Sequence, residues 1–159
     1  MASRVSAGVV AAALTLACSL TVVSESGGQK HLTPYKDPVG VLTVCNGHTG
    51  PDIRPAGHYT DAECSSILTA DETKAMTYVL NDTVGNMNPS ELAALTDFTF
   101  NVGTGNFHTS TLRKLWNQGN HAAACRELPK WVYAKGVKLA GLVTRRAKEM
   151  ALCLSSTNS

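Results

Sequence analysis

Charge is sparse in this chain. Only 16% of its 159 residues are Asp, Glu, Lys or Arg, and none falls between Val5 and Val23. A net charge of +2 is too slight to mark a nucleic-acid binder. No basic stripe interleaved with aromatic residues runs along any segment, so no nucleic-acid partner is expected. There is no CxxC pair, which argues against a zinc knuckle. The five histidines lack HExxH or similar ligand spacing, so neither a metal nor a cofactor is expected. No internal repeat or low-complexity tract stands out. What is present is the length of one domain, with 43% hydrophobic residues to fill one sizeable core.

The charge-free run is 19 residues long, close to the minimum for a helix that crosses a bilayer. Arg4 precedes it, and Glu25 follows it after Ser24. The positive-inside preference keeps such an N-terminus in the cytoplasm and sends the rest of the chain outward. Eight residues of the run are Val or Leu, and the others are Ala, Gly, Ser, Thr and Cys18. Small and hydroxylated residues make insertion less favourable, so this segment is held less firmly than a Leu-rich span would be. Three readings stand. One is a cleaved signal peptide, for which there is no obvious A-x-A site. Another is a lipoprotein signal ending at Cys18, to which the preceding "TLA" is a poor match. The third is an uncleaved anchor that can later leave the membrane. All three put the domain outside the cytoplasmic membrane. Cys45, Cys64, Cys125 and Cys153 lie beyond the run, enough for two disulfides in an exported domain.

Further along, "HLTPYKD" and "VGVLTVC" flank the turn "DPVG", and the pair reads as a short hairpin. In its second arm Val41, Thr43 and Cys45 are expected on one face, and Leu42 and Val44 on the other. "NGHTGPDIRPAGH" is loop. Capping boxes then open helices at Thr60 ("TDAE") and Thr69 ("TADE"). "NPSE" places Asn88 as cap, Pro89 at the first helical position and Glu91 in the first turn. Helices are also expected in "STLRKLWNQG", stopped by Gly119, in "HAAACREL", and from about residue 139 to 154, where Arg145 can pair with Glu149. The architecture expected is α+β, with a small N-terminal hairpin lobe, a larger helical lobe and a cleft between them suited to a long polymer.

"PYKDPVGVLTVCNGHTG", "ALTDFTFNVGTGNFHTSTLRK" and "GLVTRRAKE", in that order, resemble the phage-type lysozymes of glycoside hydrolase family 24. The resemblance is closest to endolysins with a signal-arrest-release anchor, and the weakly apolar N-terminal run and the cysteine placement match that branch. It implies a lysozyme-like fold, an anchor over residues 1–24, and a catalytic domain over residues 25–159. It also implies cleavage of the β-1,4 bond between N-acetylmuramic acid and N-acetylglucosamine in peptidoglycan. The chain would be a monomer, tethered first in the host inner membrane and later free in the periplasm. Of the three pairings that four cysteines permit, Cys45 with Cys64 and Cys125 with Cys153 is the one expected. Cys18 is read either as a passive residue of the anchor or as a thiol that attacks a disulfide once released; Asp37, where relatives with such an anchor thiol carry a cysteine, favours the first.

The family pattern also implies a catalytic Glu, then eight residues, Asp, five residues and Thr. Asp37 and Thr43 fit the second spacing. Nine positions before Asp37, however, stands Gly28, and the only nearby acid is Glu25, three residues early. Glycosidic cleavage needs a carboxylic acid for the leaving oxygen and a second group to activate water. In one reading Glu25 is that acid, and Gly27 and Gly28 let a longer loop return it to the site. In the other the acid has been lost and the protein is a lysozyme-shaped binding or regulatory homologue. Glu25, Asp37 and Thr43 are the candidate catalytic set. His48, Trp116 and Trp131 are read as structural, Phe98, Phe100, Val102 and Phe107 as core, and Arg145 and Arg146 as closing the last helix onto the domain.

Overall fold

A computed structural model describes residues 5–24 and 30–155. The N-terminal run forms α1 (Ala7–Ser24), followed by three short strands, β1 (His31–Lys36), β2 (Leu42–Cys45) and β3 (His48–Thr49). They make one antiparallel sheet in sequence order. Tyr35 pairs with Thr43 and Lys36 with Leu42, and the register slips between His31 and Tyr35. Pro34 lies in that interval, where a residue without an N–H cannot extend the ladder. The turn between β1 and β2 closes with Asp37 N–H donating to Val41 O at 2.9 Å and Gly40 N–H donating to Asp37 O at 2.9 Å. Gly40 sits there at φ 84°, a conformation glycine adopts without steric cost.

The helical lobe contains α2 (Asp61–Asp82), α3 (Pro89–Val102), α4 (Thr104–Thr109), α5 (Thr111–Asn117), α6 (His121–Cys125) and α7 (Ala140–Leu154). A 3-10 turn and a small hairpin of β4 (Tyr133–Ala134) and β5 (Val137–Lys138) lie between α6 and α7. Thr60 and Asn88 are reciprocal capping boxes with Glu63 and Glu91. The second expected box does not open a helix. Thr69 lies inside the single 22-residue α2, and its hydroxyl donates back to Ser65 O at 2.9 Å. A box motif caps only where the chain enters a helix, and here the helix is already under way.

The main core is built around α3, whose Leu92, Leu95 and Phe98 are fully buried with Phe107, Leu112, Trp116 and Leu128. α1 belongs to this core. Its Ala13 and Ala17 are fully buried, and the helix packs on α3 and α2. A second, smaller core of Val44, Cys45, Ile53, Tyr59 and Cys64 holds the β-lobe together. The alternation expected for β2 fails at Cys45, which takes φ 59° and joins Val44 in that core. The disulfides are Cys45–Cys64 and Cys125–Cys153, and Cys18 is free. The first ties the β-lobe to α2, the second α6 to α7.

Candidate active site

Between the lobes runs a cleft of about 660 Å³. The β-lobe contributes Tyr35, Asp37, Thr43, Gly47 and Thr49, α2 contributes Asp71, Lys74 and Tyr78, and the end of α3 contributes Phe100 and Asn101. Asp37 and Thr43 therefore meet at the cleft, as their spacing suggests. One carboxylate oxygen of Asp37 accepts from Val39 N–H at 2.9 Å and from Val41 N–H at 2.8 Å. These bonds fix the side chain on its own turn. Its other oxygen has no protein partner among the described residues. Thr43 is buried and its hydroxyl donates to Val41 O at 3.0 Å, so its oxygen keeps lone pairs to accept a hydrogen bond from water.

Glu25 and Gly28 lie outside the described residues. The chain on either side of them does not. Val23 of α1 and Lys30 line one hollow together with Asn46, and the next residue, Gly47, lines the cleft.

His48, in β3, is fixed between two carboxylates: Nδ1 lies 2.6 Å from Asp71 and Nε2 lies 3.1 Å from Asp52. Burial acts to lower its pKa, but the hydrogen bonds and charges of Asp71 and Asp52 together raise it above the ordinary histidine value. The imidazolium so favoured bridges the β-lobe to α2 beside the cleft. That is a structural role, as expected from the sequence, but the partner Asp71 was not foreseen.

Neither tryptophan lines the cleft. Trp116 is fully buried and stacks on His121 with ring centroids 3.8 Å apart, while Trp131 packs edge-on against Phe98 at 5.3 Å. Phe100 corrects the sequence reading: it is partly exposed on the cleft wall, with Tyr35 and Tyr78. These three were the missed aromatic surfaces. Helical periodicity alone does not say which apolar residues a cleft uncovers.

Arg146 joins the other two motifs. It donates to Asn101 Oδ1 and, at 3.0 Å, to Trp131 O, and its guanidinium lies 5.1 Å from the Phe98 ring centroid. The last helix is thus locked onto the cleft end of α3. There Gly103, at φ 91°, ends the helix and donates to Thr99 O at 2.9 Å. The helical lobe also buries carboxylates. Asp97 receives two hydrogen bonds from Arg145, at 3.0 and 2.8 Å. Burial pushes the Asp97 carboxyl upward, but Arg145 and its neighbours hold it below the ordinary value. Burial lifts Glu149 well above its ordinary value, and Asp97 adds to that rise.

The phage lysozyme family model matches residues 25–149. The chain belongs to that family. A SAR-endolysin of enterobacteria phage P21 is 39% identical over 156 residues, covering 97% of this chain and 93% of that one. Among solved structures, the active form of the P1 phage endolysin Lyz is 25% identical, with a TM-score of 0.77, covering 98% of this chain and 88% of that one. The secreted inactive form of the same endolysin gives a TM-score of 0.57 at 20% identity, covering 93% of this chain and 96% of that one. The fold described here is thus nearer to the active arrangement than to the inactive one. Both the α+β lysozyme-like class and the two-lobed plan agree with the expectations from sequence.

Proposed function

We propose that the chain is a phage endolysin, a muramidase that hydrolyses the β-1,4 bond between N-acetylmuramic acid and N-acetylglucosamine to lyse the host cell. The observation that carries this reading is the meeting of Asp37 and Thr43 in an open cleft between the two lobes. Glu25 serves as the acid. In the sequence it follows Ser24, the last residue of α1, and the family match begins with it. Glu25 gives its proton to the glycosidic oxygen as the bond from C1 breaks. The free oxygen of Asp37 takes a proton from a water held by the Thr43 hydroxyl, and the water oxygen bonds to C1 from the opposite face, with inversion. Tyr35, Tyr78 and Phe100 offer surfaces for sugar rings.

Residues 1–24 act first as a membrane anchor. α1 has 18 residues and a mean hydropathy of 2.0, long and apolar enough to cross a bilayer. While it spans the inner membrane, Glu25 is held at the outer interface and the enzyme is silent. After release into the periplasm α1 packs as a core helix, the arrangement described here. The alternative, a non-catalytic homologue, has less support, since the relatives that span nearly the whole chain are named endolysins.

Digestion of purified peptidoglycan by the full chain, followed by mass spectrometry, tests the reaction. Soluble fragments ending in reducing N-acetylmuramic acid are expected. Intact glycan strands after incubation with folded protein would contradict the muramidase reading.

A further inference from the structure

α1 is almost wholly apolar, yet near its C-terminal end it buries a hydroxyl between two carboxyl groups. Thr21 Oγ1 contacts Glu72 of α2 and lies 2.7 Å from Asp97 of α3. All three side chains are fully buried. Thr21 has one hydroxyl proton and so can donate to only one carboxylate. Asp97 is the ionised acceptor, because Arg145 donates to both of its oxygens. The other contact must then be donated by Glu72 itself, as a neutral acid. The second Glu72 oxygen has no partner among the described residues, and a buried ionised carboxylate left so poorly solvated would be costly.

We propose that seating α1 in the domain takes up one proton on Glu72, making the Thr21–Glu72–Asp97 contact a proton-dependent latch that holds the N-terminal helix in the soluble form. The proposal rests on the reading that α1 leaves the membrane. The groups facing Glu72 are Thr21 and the Cys18 thiol from α1, Asp97 from α3, Arg145 from α7 and its own neighbour Asp71. Burial lifts the Glu72 carboxyl to about 7, against the Thr21 hydrogen bond and Arg145 but with Asp97 and Asp71. With α1 in the bilayer that covering surface is gone, and the carboxyl returns toward the ordinary glutamate value of about 4.3. Docking is then at full strength below about pH 4.3. It weakens by up to tenfold per unit as pH rises, and levels off above the docked value.

Flotation of the full chain with vesicles of phosphatidylethanolamine and phosphatidylglycerol, between about pH 5 and about pH 8, reads this directly. The ratio of soluble to bound wild type is expected to fall by up to tenfold per unit toward neutrality. Glu72→Gln, whose amide donates without titrating, stays soluble with no such slope. Thr21→Val shifts toward the membrane. A wild type indifferent to pH, whether all bound or all free, overturns the proposal, and so does an equal slope in Glu72→Gln. If that variant fails to fold, the assigned Glu72 carboxyl of the wild type is titrated by NMR. A midpoint near 7 supports the latch, and one near the ordinary value of about 4.3 overturns it. Peptidoglycan cleavage by the soluble fraction is scored separately, so a latch without hydrolysis, or hydrolysis without a latch, is recognised as such.

Discussion

Asp37 and Asp97 carry the same side chain in opposite surroundings. Asp37 stands on a hairpin turn at the edge of the cleft, with one oxygen held by the Val39 and Val41 N–H groups and the other without a protein partner among the described residues. Asp97 is fully buried, and both its oxygens are occupied by Arg145. The β-lobe thus presents to the cleft a carboxylate with one oxygen uncommitted among the described residues, while the Asp97 carboxylate joins α1, α3 and α7.

The sharpest way to break the contrast is to remove each carboxylate. Asp97→Ala strands Arg145 in the core and is expected to cost about 3–5 kcal/mol in denaturant unfolding, the range for breaking a buried ion pair. Asp37→Asn keeps an oxygen for the turn and should change stability by no more than about 0.5 kcal/mol. Its rate of peptidoglycan hydrolysis should nevertheless fall by about 100- to 10,000-fold, the scale for losing a general base.

Asp71 stands between the two cases, since it lines the cleft and also holds His48. The bridge raises the His48 pKa in the folded state. Its stabilisation is therefore complete below the ordinary histidine value of about 6.5 and is lost as pH rises through the raised value. Asp71→Asn should cost about 1.5–3 kcal/mol in mildly acidic buffer, as for a hydrogen bond to a charged group, and less in alkaline buffer. Urea titrations at the two ends of that range check it. A cost independent of pH would mean that the bridge is not ionic.

Much of the fold was legible in local chemistry. The DPVG turn, the Asn88 box with Pro89, and the Gly-terminated α3 each announce themselves within a few residues. Thr69 misled because the same four-residue pattern occurs inside a helix as well as at its start. Asp37 and Thr43 could be named because the family resemblance supplies their spacing and both lie on one hairpin. Asp71, Tyr78 and Phe100 could not, because only the packing of α2 and α3 against the β-lobe brings them to the cleft. The latch was hidden for the same reason: Thr21 is 51 residues from Glu72 and 76 from Asp97. One signal was nonetheless available. Asp97 is a lone charge in the apolar stretch "LAALTDFTF", where a buried charge calls for a cation such as Arg145.

We propose that Glu25 acts as the acid once α1 is released. Comparing peptidoglycan hydrolysis by wild type and Glu25→Gln, at matched thermal stability, tests it most directly. The expected result is a rate lower by at least about 100-fold with an unchanged melting curve. A Glu25→Gln enzyme that digests peptidoglycan at the wild-type rate would contradict the account.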